Sequence, residues 1–135
     1  MRQAADASIS IPALLTDHEA HDLAEEALSL CEATIAHVAV ETYSVLTRLP
    51  PPHRMEPLDA AEIIDARLPD AWANLDDGAS RLLSRRLAEA RVAGGATYDG
   101  LIAFVALEHD LELVSRDRRA AQTYRALGVP FRFVA

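Results

Sequence analysis

Apolar residues recur along most of this chain at three- and four-residue spacing, the period of a helix with one buried face. Leu23, Ala27, Leu28 and Cys31 form one such stripe, and Val38, Val45, Leu46 and Leu49 a second. Leu82, Leu83 and Leu87 form a third, and Leu101, Ile102, Val105 and Ala106 a fourth. Between the stripes lie short runs that are too brief for helices. Residues 3–5, 34–36, 111–114 and 131–134 read as strands, and Leu111-Glu112-Leu113-Val114 alternates as a half-buried strand does.

Punctuation places the ends. Pro12, among Ile9, Ile11, Leu14 and Leu15, fits the first turn of a helix. Thr16-x-x-Glu19 has the form of a capping box and predicts a helix from there to about Cys31. A helix over residues 38–49 stops at Pro50-Pro51-Pro52, because proline lacks an amide donor and restricts the residue before it. Asp59-x-x-Glu62 predicts a short helix over Ile63, Ile64 and Leu68 that Pro69 ends. Residues 70–76, with Trp72 and Leu75, are ambiguous, a short strand being one reading. Helices are predicted over 77–92, 97–108 and 117–127, with a turn at Gly94-Gly95 and a cap at Gly128. Strands alternating with helices indicate an α/β domain with a mainly parallel sheet. No repeat or linker divides the 135 residues, so one domain over 1–135 is expected.

Charge narrows the chemistry. There are 21 acidic residues and 13 basic ones, for a net charge of −8, and every basic residue is arginine. A lysine nucleophile, a Schiff base and a phosphate-loop lysine are therefore excluded. Broad nonspecific nucleic-acid binding is disfavoured, since it needs a positive surface. Arginine clusters at 81–91 and 116–119 can still form a local phosphate rim, or simply a solvated helix edge. The single Cys31 rules out an intramolecular disulfide and a Cys-based zinc cluster. No apolar run is long enough for a membrane span and the N-terminus is a poor signal peptide, so a cytoplasmic protein is expected.

Ligands of parallel sheets bind beyond the carboxyl ends of the strands. Asp6 follows the first predicted strand, Asp117 follows the 111–115 segment, and Asp99 lies near a helix start after the glycine turn. Glu41 sits on a largely apolar helix surface, where a carboxylate needs a partner or a cation. Gathered together, such acids suit magnesium or manganese, and without a cation they would raise one another's pKa. Each also has a structural reading: Asp6 and Asp117 as helix caps, Asp99 in a first turn, Glu41 paired with Arg48 or another arginine. Ser8 and Ser115, each two residues from an acid, can orient water, donate to phosphate or make local turn bonds. His18 and His21 read as surface residues; His37, His53 and His109 have no partner at readable spacing. Tyr43 and Trp72 read as core or interface residues, and with seven aromatics in all the chain is poor in material for a stacking platform.

Four stretches in order resemble the PIN-domain ribonucleases, and within them the VapC toxins of bacterial type II toxin–antitoxin systems. They are Asp6-Ala7-Ser8; Val40-Glu41-Thr42-Tyr43-Ser44-Val45-Leu46-Thr47-Arg48-Leu49-Pro50; Tyr98-Asp99-Gly100-Leu101-Ile102-Ala103; and Val114-Ser115-Arg116-Asp117. The resemblance implies a three-layer α/β/α domain around a short parallel sheet. It implies Mg²⁺ or Mn²⁺ held by Asp6, Glu41, Asp99 and Asp117, with Ser8, Ser115 and Arg116 in support. The implied activity is cleavage of single-stranded RNA to 5′-phosphate and 3′-hydroxyl products. The implied partners are a VapB antitoxin, whose C-terminal segment inserts near the active site, and a second copy in a homodimer. The chain departs from the family before Asp6, where Arg2-Gln3-Ala4-Ala5 replaces a more hydrophobic, β-branched strand. That departure keeps a non-catalytic, protein-binding PIN-like module as the alternative. A response-regulator receiver would need a lysine, and a phosphatase of the Asp-x-Asp type would need an acid where Ser8 stands.

Overall fold

The computed structural model describes residues 1–135. At the middle of a five-stranded sheet is β1 (Gln3–Ala5), with β2 (Ala33–Ile35) and then β3 (Ala71–Ala73) on one side. On the other side are β4 (Glu112–Ser115) and β5 (Phe131–Phe133), and every ladder is parallel. The helices are α1 (Ala7–Leu14), α2 (His21–Ser29), α3 (Ala36–Arg48), α4 (Pro57–Arg67), α5 (Asp77–Glu89), α6 (Thr97–Glu108) and α7 (Arg118–Leu127). A 3-10 turn, Gly94–Ala96, leads into α6.

Alternation along the strands divides the core in two, as a pleated sheet requires. Ala4 and Leu113 point into a cluster built with Ile102 and Val105 of α6 and Tyr124 of α7. Ala5 and Val114, the next residues along, point into a cluster with Ile9, Leu28, Leu46 and Ile64 from α1 to α4. The fold is therefore three layers, helices over both faces of the sheet, as expected. The small residues of β1 are buried on both faces, with Ala4 in register with Ala33 on one side and Leu113 on the other. Weak intrinsic β-propensity is overridden by pairing on both edges.

Several sequence signals are corrected. Thr16-x-x-Glu19 does not open α2. Residues 16–20 form turns in which the ring Nδ1 of His18 accepts from Ala20 N–H at 3.0 Å, and the helix starts at His21. Likewise α4 starts at Pro57, a residue pre-set for a first helical position, and Asp59 lies within its first turn. Ala36 begins α3 instead of ending β2. His21 is not a surface residue: its Nδ1 lies 3.0 Å from the carbonyl of Pro12 and its Nε2 2.8 Å from Glu25, tying α2 to α1. Trp72 and Tyr43 are exposed and not core, Trp72 because β3 is an edge strand. No helix is long and apolar enough to cross a membrane.

Candidate active site

The chain leaves β1 at Asp6, whose amide still bonds to Val114 of β4 at 3.0 Å, and then turns directly into α1. Asp6 is the N-cap of α1. Its Oδ1 accepts from the Ser8 amide at 3.0 Å and from the Ser8 hydroxyl, and its Oδ2 accepts from the Tyr124 hydroxyl at 2.8 Å. The Ser8 hydroxyl in turn accepts from the Arg116 amide at 2.7 Å and lies 3.4 Å from the Ser115 hydroxyl. Ser115 Oγ accepts from the Asp117 amide at 3.1 Å. The two serines thus stitch the carboxyl ends of β1 and β4 together and aim Asp6. Burial pushes the Asp6 carboxyl above its ordinary range, while hydrogen bonds from Ser115, Ser8 and Tyr124 oppose that shift.

The other three acids come from three separate helices. Glu41 lies in the second turn of α3, Asp99 in the first turn of α6, and Asp117 caps α7 by accepting from Arg119 N–H at 2.9 Å and Ala120 N–H at 3.3 Å. All three line one cavity of about 550 Å³, together with His37, Tyr98 and Arg119. Asp6 is buried and not among the lining residues, but its charge reaches both Glu41 and Asp99. The Glu41 carboxyl is raised by burial and then by Asp6 and Asp117, with Arg48 working against them. Asp99 is pushed up to about 6, by burial first and then by Asp117, Asp6 and Glu41. The N-terminal ends of α1, α6 and α7 bring partial positive charge to the cluster, which offsets some of the repulsion.

So the four acids share one electrostatic neighbourhood. They do not close into a ready cage, since no three His, Cys, Asp or Glu side chains stand together closely enough to hold one ion directly. The donors are all carboxylate oxygens under mutual repulsion, the chemistry that suits a hard divalent cation that keeps several of its waters. The residues present fit such an ion.

Three neighbours of the acids escaped sequence reasoning. Tyr124 sits in an arginine-rich helix, 118 residues from the carboxylate it holds. His37 has its Nε2 3.6 Å from Glu41 Oε1, and its ring stacks on Tyr98 with centroids 5.2 Å apart. The available signals were the four-residue spacing of His37 and Glu41 and the adjacency of Tyr98 to Asp99. Burial lowers the His37 pKa, so the ring is neutral at pH 7 and no strong ion pair with Glu41 forms. Arg48 reaches Glu41 through its field and makes no ion pair. Arg116 contributes its backbone amide to the site; its side-chain Nε is buried without a hydrogen-bond partner.

Residues 4–126 match the PIN domain family. Ribonuclease VapC40 of Mycobacterium tuberculosis strain H37Rv is 44 % identical over 131 residues, covering 97 % of this chain and 98 % of that protein. Ribonuclease VapC27 of the same strain is 42 % identical over 127 residues, covering 93 % and 92 %. Among solved structures, that of PAE2754 from Pyrobaculum aerophilum aligns with a TM-score of 0.60 over 93 % of this chain and 88 % of that one, at 19 % identity. That last likeness is one of fold.

Proposed function

Because this chain belongs to the PIN-domain family, with relatives named as VapC ribonucleases over nearly its whole length, we propose that it is a Mg²⁺-dependent endoribonuclease. Mn²⁺ is an alternative ion. The observation that carries this reading is the convergence of Glu41, Asp99 and Asp117, from three separate helices, on one cavity, with the buried Asp6 close enough behind it for its charge to reach Glu41 and Asp99.

Those four residues would hold the cation, in part through water. When bound, it supplies charge neutralisation at the phosphodiester and its departing oxygen. The protein supplies the rest. Ser8 and Tyr124 keep the Asp6 carboxylate in one orientation. Glu41 and Asp99, on the wall of the cavity, are placed to position the attacking water and to take up the proton it gives up. Arg119 at the cavity wall offers a positive partner to the phosphate. Water attacks phosphorus and loses a proton, the bond to O3′ breaks as O3′ takes up a proton from solvent, and the products carry a 5′-phosphate and a 3′-hydroxyl.

The family context extends the proposal: one domain over residues 1–135, acting in the cytoplasm as a homodimer, away from membranes, and restrained by a VapB-like antitoxin. The non-catalytic alternative drew its support from the weak first strand. That support is gone, because β1 is buried and paired on both edges. The direct test is cleavage of unstructured RNA by the purified protein with magnesium. Activity abolished by EDTA and by Asp6→Asn and Asp99→Asn supports the assignment; activity indifferent to all three overturns it.

A further inference from the structure

Beside the carboxylates, the same cavity carries a pair of rings that the acid chemistry does not use. His37, in the first turn of α3, and Tyr98, in the first turn of α6, lie parallel, their planes within 1° and their centroids 5.2 Å apart. Tyr98 is 59 % exposed although one of its faces meets His37, so the opposite face and edge stand in water. Val40 extends the exposed apolar surface along the same wall, at 65 % exposure. Arg119 lines the cavity too, so an aromatic face, a cation and three carboxylates open onto one space of about 550 Å³.

The geometry points to a base-stacking subsite: the open face of Tyr98 receives one unpaired nucleobase of single-stranded RNA and continues the His37–Tyr98 stack, with Arg119 on an adjacent phosphate. The inference rests on the ribonuclease reading and adds to it where the strand enters. The charge balance favours such a subsite. A chain with net charge −8 and no lysine draws little affinity from phosphate attraction. Stacking on an aromatic ring contributes about 1–3 kcal/mol per base, tolerates any base, and does not depend on net charge. Seven aromatics are too few for a platform holding several bases, but one base needs one ring. A duplex hides its base faces, so the subsite also selects single strands.

The test is fluorescence anisotropy with a labelled short oligoadenylate, in calcium so that binding is read without turnover, and with a matched abasic oligomer as the second probe. Tyr98→Ala weakens oligoadenylate binding roughly tenfold, the size of one lost stack, and Tyr98→Phe stays within about twofold because a phenyl ring stacks as well. The abasic oligomer binds the wild type as weakly as oligoadenylate binds Tyr98→Ala, and it does not sense the substitution. Arg119→Ala weakens both probes alike and flattens the salt dependence. Undiminished oligoadenylate binding by Tyr98→Ala overturns the subsite, and so does an equal loss on the abasic probe, which would make Tyr98 only a clamp between α3 and α6. Failure of the ribonuclease reading shows itself separately, as base-dependent binding in a protein that never cleaves RNA with magnesium.

Discussion

The hydroxyl of Tyr124 donates to Oδ2 of Asp6 at 2.8 Å, joining the face of α7 to the end of the central strand. With Ser8 donating to Oδ1, both oxygens of this buried carboxylate are held, and the protein alone fixes its orientation. Tyr124 is itself fully buried. Burial and the neighbouring Asp6 charge lift its phenol well above the ordinary range, so it remains a donor throughout the physiological pH range.

Tyr124→Phe keeps the packed ring and removes this donor. A buried acceptor left without its partner costs about 1–3 kcal/mol, so urea denaturation in EDTA at neutral pH shows a loss of that order. The loss shrinks in acid, where Asp6 is protonated and needs the donor less. Mn²⁺ affinity measured by calorimetry falls about 10- to 100-fold, the usual effect of removing the group that orients a metal-binding side chain. Wild-type Mn²⁺ affinity in Tyr124→Phe would show that Asp6 is aimed by other means.

Asp99→Asn separates activity from stability. The carboxylate faces three like charges and is part buried, so its ionised form opposes folding in the absence of a cation. The amide removes that charge at nearly constant volume. Magnesium-dependent cleavage falls by about 10²- to 10³-fold, as when one preorganised charge-stabilising group is lost, while the thermal midpoint in EDTA rises. A midpoint that falls along with activity would mean that Asp99 is a structural anchor.

The sign of the pH effect follows from the same residue. Its folded-state pKa of about 6 lies above the reference value of 3.8, so the folded protein binds this proton more tightly than the unfolded chain does. The resulting stabilisation is complete below the reference value and fades as pH rises through about 6. In EDTA, therefore, the wild-type melting temperature declines relative to that of Asp99→Asn across this window. Magnesium reverses the decline at neutral pH and does little in acid, where the carboxyl is protonated. Parallel curves for the two proteins would remove Asp99 as the titrating group.

The positions of the acids were legible because each stands at a boundary that sequence marks well: after a strand, at a helix start, or as a lone charge on an apolar helix surface. Their partners were not. Tyr124 looks inward from a helix whose other residues are mostly polar, and nothing local announces a bond across 118 residues. The capping box at Thr16 failed because it competes with other contacts: the His18 ring satisfies the turn locally, and the His21 ring anchors the helix start to α1. Trp72 was legible as part of a short strand but not as a core residue, since it stands exposed on an edge strand. The alanine-rich first strand shows the reverse, a weak propensity made good by pairing on both sides.

Gly100 links this packing to the site. It follows Asp99 directly and is buried where α6 crosses the end of α5. In an open helix, replacing glycine by alanine stabilises by about 1 kcal/mol. Here a Cβ would overlap Leu87 Cδ2 and lie 3.1 Å from Val92 Cγ1, in a small cluster completed by Phe104. Overpacking a filled core costs about 1–3 kcal/mol, so the overlap outweighs the propensity gain and Gly100→Ala is destabilised in urea titration. Because α6 also carries Asp99 and Tyr98, relief by a shift of α6 moves both out of register with α3 and α7, and cleavage drops by more than the loss of folded protein explains. Adding Leu87→Ala makes room for the new methyl group, so the double variant recovers cleavage per folded molecule even though it loses a buried leucine. Gly100→Ala at or above wild-type stability would show that Leu87 yields freely and that the position of α6 does not depend on this contact.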